Sequence, residues 1–542
     1  MAPRLTAVCP NAHDLGPPRS RPTWRALIVV LAAAFAAGAS AATLRWSSAG
    51  DPQTSDPYSQ NDSLTNLFSS QIHDTLVRRD KQLRIVPGLA TAWTRSGPTT
   101  WRFHLRKGVV FHDGSPFTAD DIVFSIERAQ HQNSQLRQYA NLLGKPRKID
   151  ELTVELVQGR PNPILLEHAT TIYIMSRAWA LQHKSERPLD FKNNEETHAA
   201  RHANGTGPWI LVSRHPDVRT VLRRNPRWWD RHEGNVTEIA YQPLAADATR
   251  VAALVSGQVD FVLDPPPQDV PRLRSRDGIK VVEGVENRVV FLGFDQHRDE
   301  LVYSNVKGRN PFKDARVRRA VYHAIDIEAI RAKTMRGAAR PTGGMTPSIL
   351  ASNPDAEQRL PHDPARARAL LAEAGYPGGF EVGLDCPNNR YINDEEICQA
   401  IAPMLARVGI RVRLTTMPRT TYFPKLEKLD TSFYLLGWGG AVTDAQTTLS
   451  PVLRSYDPAS GQGSYNYGRY LSPKLDRFID QAAAEMDPEK RRELIRRALA
   501  EHDAQTFHVP LHRQVIPWAM RANVQVVHRA DNWLLGEWVT ID

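Results

Sequence analysis

Thr100-Trp-Arg-Phe-His-Leu-Arg-Lys-Gly-Val-Val-Phe-His-Asp-Gly-Ser-Pro-Phe-Thr-Ala-Asp-Asp-Ile-Val-Phe-Ser125 holds the signals of a strand and of a helix in one short stretch. Its first residues, Thr100–Leu105, predict a strand. Thr118 followed three residues later by Asp121 has the pattern of a capping box, in which a hydroxyl accepts from the first helical turn and a carboxylate reaches back to the cap. Ile122, Val123 and Ile126 then fall on one helical face, the face that turns inward. A strand leading into a capped helix excludes an all-helical or an all-strand chain.

The same alternation extends outward from this stretch. Asp363-Pro364 predicts an N-cap with proline in the first turn, Leu370-Leu371 give the buried side, and Gly375 ends that helix. From Asn393, the residues Ile397, Ile401, Met404, Leu405 and Val408 recur at helical spacing. Gly409 stops them, and Ile410, Val412 and Leu414 alternate as a strand. Asp487-Pro488 opens a further helix, amphipathic through Leu494, Ile495 and Leu499. Strands are also predicted at 152–157, 218–222, 289–294 and 433–438. Helices and strands alternate irregularly and without internal repeats, which indicates an α/β or α+β protein. The 542 residues exceed the roughly 250–300 at which one hydrophobic core stops growing, so two or three domains are expected. Proline-rich loops such as Asp264-Pro-Pro-Pro-Gln268 punctuate the chain, but no long low-complexity linker divides it. An interleaved organisation, in which the chain leaves a domain and later returns, is compatible with that.

Composition narrows the class. With 41% apolar and 24% charged residues the chain is neither wholly disordered nor collagen-like, and a mean hydropathy of −0.44 excludes a polytopic membrane protein. One apolar run stands out. Arg19, Arg21 and Arg25 precede an uninterrupted apolar stretch over 26–38, and Ala39-Ser40-Ala41 supplies a small-x-small cleavage pattern. These are the three parts of a secretory signal peptide, residues 1–41. The stretch is shorter than the ~20 residues that span a bilayer, so the mature chain is expected to be exported and to start near Ala42. The formal net charge is +10, and the leader takes four arginines and one aspartate with it. No run of like charges and no basic stripe interleaved with aromatics follows, so nucleic acid is not an expected partner. Of the cysteines, Cys9 lies in the leader, which leaves Cys386 and Cys398. A close pair in an oxidising compartment predicts a disulfide. A metal pair is the rival reading, but the gap between them is not a zinc spacing and no histidine cluster flanks it.

Enzyme motifs are missing. There is no Gly-x-Ser-x-Gly elbow, no His-Glu-x-x-His, no phosphate-binding Gly-x-x-x-x-Gly-Lys and no Gly-x-Gly-x-x-Gly. Asp120-Asp121 and Glu395-Glu396 fall in the first turns of predicted helices, where the helix dipole accounts for them. No catalytic residue, metal site or cofactor is therefore expected. The strand 433–438 does end on Trp438 and enters the glycine-rich turn Gly437-Trp-Gly-Gly440. A large flat ring at a strand end beside a loop is a natural ligand contact, though it also plugs a sheet end.

Several further stretches share one resemblance with the opening one. These are Pro87-Gly-Leu-Ala-Thr-Ala-Trp93, Gly205-Thr-Gly-Pro-Trp209, Asn225-Pro-Arg-Trp-Trp229, Gly257-Gln-Val-Asp260, Asn310-Pro-Phe-Lys-Asp-Ala-Arg-Val-Arg-Arg-Ala320, Gly437-Trp438, Asn466-Tyr-Gly and Val509-Pro-Leu-His512. Taken in order they resemble the extracellular solute-binding proteins of family 5, the receptors of peptide and nickel ABC importers. The resemblance implies an α/β, two-lobed, three-domain periplasmic-binding-protein fold with mixed sheets and a hinge between the lobes. It implies domain I from 42–85, 200–285 and 505–542, domain II from 86–199 and domain III from 286–504. It further implies a periplasmic receptor that closes on its ligand and delivers it to a membrane permease, and the chain is expected to act as a monomer.

Peptide-binding members resemble one another in an Asp three residues after the tryptophan of Gly-Trp, which meets the ligand's α-ammonium. Here that position is Ala441, and the next carboxylate is Asp444. Asp444 is the candidate to take the ammonium; a plain loop cap is the alternative, as is a ligand without that ammonium. For a carboxylate, Arg390 in Pro387-Asn-Asn-Arg-Tyr391 is the candidate, because a guanidinium grips a carboxylate with two bonds. Tyr391 and Asn466 are hydrogen-bonding candidates beside it. A peptide is the expected ligand. A nickel chelate or an opine-like amino-acid derivative is the second reading, and a secreted hydrolase or periplasmic chaperone the third.

Overall fold

The computed structural model describes residues 42–190, 195–346, 357–439 and 443–542. The predicted signal peptide 1–41 and the position Ala441 lie outside them.

The opening stretch folds as its signals dictate. Thr100–Leu105 is a strand, and the helix Ala119–Ala129 is capped by Thr118, whose side chain accepts from the Asp120 N–H while the Thr118 N–H donates to the Asp121 carboxylate at 2.9 Å. Ile122 and Ile126 are fully buried on its inner face, with Val123 at the margin. The strand belongs to a four-stranded antiparallel sheet in the order Ala90–Arg95, Thr100–Leu105, Thr153–Val157, Lys145–Asp150.

A larger mixed sheet runs through the other described residues. Its strands follow in the order Ile410–Met417, Phe380–Pro387, Phe433–Gly439, Ile279–Phe294, His508–Arg521, Phe261–Val262, Ala42–Ser48, Val236–Pro243, Arg219–Arg224 and Trp209–His215, with Ala339–Pro341 added alongside His508–Arg521. Neighbours pair parallel at 380–387 with 410–417 and at 42–48 with 236–243, and antiparallel through the middle. The sheet joins segments distant in sequence, Ala42–Ser48 beside Val236–Pro243 and Ile279–Phe294 beside His508–Arg521. Apolar side chains gather into several separate cores, one around Phe103, Ile122 and Leu156, a second around Leu292, Phe312 and Ile401, and a third around Trp46, Trp209 and Trp518.

Two predicted strands change by more than one residue in extent. The predicted 289–294 is only the end of the strand Ile279–Phe294, sixteen residues long. Its first part carries Glu283, Gly284, Glu286 and Arg288, which hide the apolar alternation, and main-chain pairing with His508–Arg521 extends the strand through them. The ladder loses register between Val285 and Val289. The predicted 218–222 runs instead as Arg219–Arg224, because pairing on both sides carries the backbone past two arginines.

Cys386 and Cys398, both fully buried, form the expected disulfide with their Cα atoms 6.7 Å apart. It ties the end of the strand Phe380–Pro387 to the helix Asp394–Ala406. Replacing both cysteines by serine is expected to lower the unfolding free energy by about 3 kcal/mol, since the cross-link restricts the unfolded chain. Urea denaturation of the variant beside the parent chain measures it, and an unchanged midpoint would show that the loop is closed without the bond.

Candidate functional site

The loop between Pro387 and the helix Asp394–Ala406 is shaped by one carboxylate. Asp394 accepts the Arg390 and Tyr391 N–H groups, each at 2.9 Å, and the Glu395 N–H at 3.0 Å. Burial raises its pKa above the ordinary aspartate value, although these three donors act against the shift. The fold thereby sets Arg390 and Tyr391 at the C-terminal end of a strand, beside the end of the neighbouring strand Phe433–Gly439. The Tyr391 hydroxyl donates to the Gly437 carbonyl at 3.1 Å. Its ring lies so close over Gly437 that a Cβ there would come within 2.6 Å of it. The glycine of Gly437-Trp438 is thus required by the tyrosine packed on it.

Arg390 is half-buried with its guanidinium 5.0 Å from the centre of the Tyr391 ring. Arg288 approaches the same ring at 6.0 Å. Arg288 is paired with Glu286 at 3.1 Å, and Glu286 also accepts from Gln514 at 2.8 Å. Gln514 in turn accepts the Ile392 N–H at 3.1 Å, which fixes the loop to the central strand. Arg390 has no such partner. Among the described residues no carboxylate lies within ion-pair distance of it. Burial and the neighbouring Arg288 charge both push its pKa below the usual arginine value. A guanidinium held part-way out of water beside a second cation has the chemistry to pair with an anion of matching shape.

Trp438 stands next to this loop. Its Nε1 donates to the Thr447 carbonyl at 2.9 Å, and its ring packs on Tyr465 at 4.6 Å between centroids. Arg390 and Tyr391 are therefore brought together, while Trp438 packs with Tyr434 and Leu436 on the other side of its strand from Tyr391. Asp444 and Asn466 are placed differently. Both oxygens of the Asp444 carboxylate are engaged by Arg491, at 2.7 and 2.8 Å, and one also accepts the Gln446 N–H at 2.8 Å. Asn466 is fully buried and donates to the Arg454 and Tyr470 carbonyls, each at 3.2 Å, bracing a turn.

The loop after Trp438 meets another part of the chain at Thr443. Arg79 donates to the Thr443 hydroxyl at 2.5 Å and to Glu167 at 2.5 Å, and Glu167 accepts from the Thr443 hydroxyl at 3.2 Å. Sequence reasoning missed Arg79, Glu167, Arg288, Glu286 and Gln514. One signal was available: Glu286-Asn-Arg288 places two charges inside an otherwise apolar strand. Arg79 and Glu167 stand in no pattern of their own. Among the described residues no group of three or more His, Cys, Asp or Glu is placed to hold a metal, and no helix is long and apolar enough to cross a membrane.

Comparison with known proteins follows the same lines. The glutathione-binding protein GsiB of Salmonella paratyphi A is 26% identical over 459 residues, covering 82% of this chain and 84% of that protein. In structure the chain is similar to the ABC transporter-associated periplasmic binding protein DppA from Helicobacter pylori in complex with the peptide STSA. The TM-score is 0.75 at 21% identity, covering 92% of this chain and 98% of the other. It is also similar to AgaA in complex with agropinic acid from A. tumefaciens R10, with a TM-score of 0.70 at 24% identity, covering 89% and 94%. The mixed α/β architecture with several sheets is thus that of periplasmic binding proteins. Residues 84–460 match the bacterial extracellular solute-binding proteins, family 5 (middle region). The match takes in well over half of the sequence, and the chain belongs to the bacterial extracellular solute-binding proteins of family 5.

Proposed function

We propose that this chain is the receptor of an ABC importer for short peptides, that Arg390 holds the ligand's terminal carboxylate beside Tyr391, and that Trp438 is a separate ligand contact. The observation that carries this reading is the Arg390 guanidinium, half-buried, beside a second arginine and without a carboxylate partner among the described residues. A planar carboxylate accepts two parallel bonds from it and neutralises a charge the fold leaves open. The names of the relatives agree with this chemistry: glutathione and the peptide STSA both carry free carboxylates. An opine-like ligand is the second reading, favoured by Ala441 where the ammonium-binding carboxylate of peptide receptors stands and by the likeness to a receptor holding agropinic acid. Asp444 enters the proposal as a brace for the loop, since Arg491 occupies both its oxygens.

The proposal includes the domain limits given above, with the hinge in the strands Ile279–Phe294 and His508–Arg521 near the register shift between Val285 and Val289. Ligand contacts on both lobes bind the closed form more tightly and shift the hinge equilibrium by that difference. No bond of the ligand is made or broken. The leader 1–41 would place the receptor in the periplasm, where the closed form meets a membrane permease. Mass spectrometry of the small molecules that co-purify with the mature protein tests the ligand class directly, and titration calorimetry tests the carboxylate. Dipeptide acids are expected to bind while the same dipeptides with amidated C-termini bind at least about 30-fold more weakly, the loss of one charge-assisted pair. Equal affinities for acid and amide would remove Arg390 from this role.

A further inference from the structure

Thr443, just past the strand Phe433–Gly439, is held by two charged side chains from a distant part of the chain. Arg79 lies in the strand Val77–Arg79 and Glu167 in the short helix Leu165–Ala169. Their ion pair is largely buried, and both partners turn to the same threonine. The Thr443 hydroxyl accepts from Arg79 Nη1 at 2.5 Å and donates to Glu167 Oε2 at 3.2 Å. The Thr443 N–H donates to that same carboxylate oxygen at 3.3 Å. Main chain and side chain of the threonine are thus engaged together. Arg79 is itself steadied by the Leu83 carbonyl, to which Nη1 donates at 3.1 Å.

The two sides of this contact are packed independently. Leu165 and Ala169, on either side of Glu167, are buried in the core around Phe103, Ile122 and Leu156. Ala445 and Leu449, just past Thr443, belong to a different core, with Tyr422, Leu436 and Ile479. Between Thr443 and that core stands Asp444, clamped by two bonds from Arg491 of the helix Pro488–Gln505, so the threonine sits on a fixed support. His168, beside Glu167, is held by burial at a pKa of about 4, so at neutral pH it brings no charge to the contact. Among the described residues no other hydrogen bond or ion pair runs between residues 58–189 and residues 410–505. Hydrogen bonds to charged groups are the stronger kind, so these few weigh in whether the two bodies stay joined.

We propose that Arg79, Glu167 and Thr443 form a latch across the ligand cleft, which favours the closed form and so sets ligand affinity without touching the ligand. The inference rests on the receptor reading for its hinge. With the domain limits proposed above, Arg79 belongs to domain I, Glu167 to domain II and Thr443 to domain III, so one contact joins all three. The Arg79–Glu167 pair lies within one lobe and persists when the lobes part, and only the bonds of the threonine are made and broken. Apparent affinity scales with the fraction of chains in the binding-competent form, so bonds that the protein makes to itself on closing add to those it makes to the ligand. The three are positioning residues.

Spin labels read the latch without any ligand. Ile149 and Leu471 are exposed, one on each side of the contact and neither part of it. With Ile149→Cys and Leu471→Cys labelled in the full mature chain, electron–electron double resonance measures the spacing of the two bodies. Thr443→Val removes the hydroxyl and is expected to shift the distribution to longer distances. Thr443→Ser keeps the hydroxyl and should retain the parent distribution, and Glu167→Gln, on the other side of the contact, should act like the valine variant. Thr443→Val should also weaken dipeptide acids at least about ten-fold in calorimetry, the loss of hydrogen bonds to charged groups, with thermal unfolding unchanged. No lengthening in either the valine or the glutamine variant, a serine variant that behaves like valine, or parent affinity in Thr443→Val would each overturn the latch. Earlier unfolding in step with the longer distances would assign the contact to the fold and overturn it as well. If the distances lengthen as expected while no dipeptide binds any form, the peptide reading falls and the latch stands. If dipeptides bind and the distances do not change, the latch falls and the receptor reading stands.

Discussion

Asp56→Asn is expected to lower the unfolding free energy by about 3–5 kcal/mol, the cost of leaving a buried charge without its partner. Asp56 and Arg128 are both fully enclosed, 72 residues apart in sequence, and joined by two bonds of 2.6 and 2.8 Å. Two more of the five Arg128 N–H groups go to the Ser185 and Arg187 carbonyls, each at 3.0 Å. Asparagine keeps the shape but strands the guanidinium. The same pair sets an acid response. Burial pushes the Asp56 pKa up, the Arg128 charge and hydrogen bonds outweigh that, and the net position is below the ordinary aspartate value. A carboxyl depressed in the folded state stabilises the fold above the unfolded pKa of about 3.9 and loses that contribution as pH falls through the folded value. Urea midpoints at neutral pH and at successively lower pH measure both effects. A loss below about 1 kcal/mol at neutral pH would mean that water reaches Arg128 in the variant.

Arg390→Met is expected to reduce affinity for dipeptide acids by about 2–5 kcal/mol, roughly 30-fold to several-thousand-fold. Methionine keeps an apolar stem on the Tyr391 ring and removes the charge. The variant should also unfold no earlier than the parent chain, since Arg390 makes no ion pair among the described residues and lies near Arg288. That combination separates a binding residue from a structural one. Calorimetric titration together with thermal unfolding of the ligand-free chain reads both quantities. Loss of stability in parallel with loss of affinity would instead assign Arg390 to the fold.

The contrast between legible and hidden parts has physical causes. The helix after Thr118 was readable because its cap and its inner face are written within a few consecutive residues. The helix Asp394–Ala406 and the strand after it were readable from their periods and from Gly409 between them. The strand His508–Arg521 was not. It is buried on both faces, so nothing alternates, and it contains Pro510, Pro517 and Arg513, which local rules count against a central strand. Among the candidate residues, Trp438 stands at a strand end and Arg390 and Tyr391 in the loop after one, places a sequence marks. Asp444 was legible only as a carboxylate. Its partner Arg491 sits in the helix Pro488–Gln505 among Arg492, Arg496 and Arg497, and local pattern does not say which of these turns toward it.

His508–Arg521 lies between Ile279–Phe294 and Phe261–Val262 in the middle of the large sheet. During synthesis those two neighbours wait, each with one edge open, until more than two hundred further residues have been made. Contacts of such long range form slowly, and open strand edges invite association between chains in the meantime. For the exported protein proposed above, late closure has a use: the large sheet stays open until its last segment is made, and an open sheet is easier to thread through a membrane pore than a closed one.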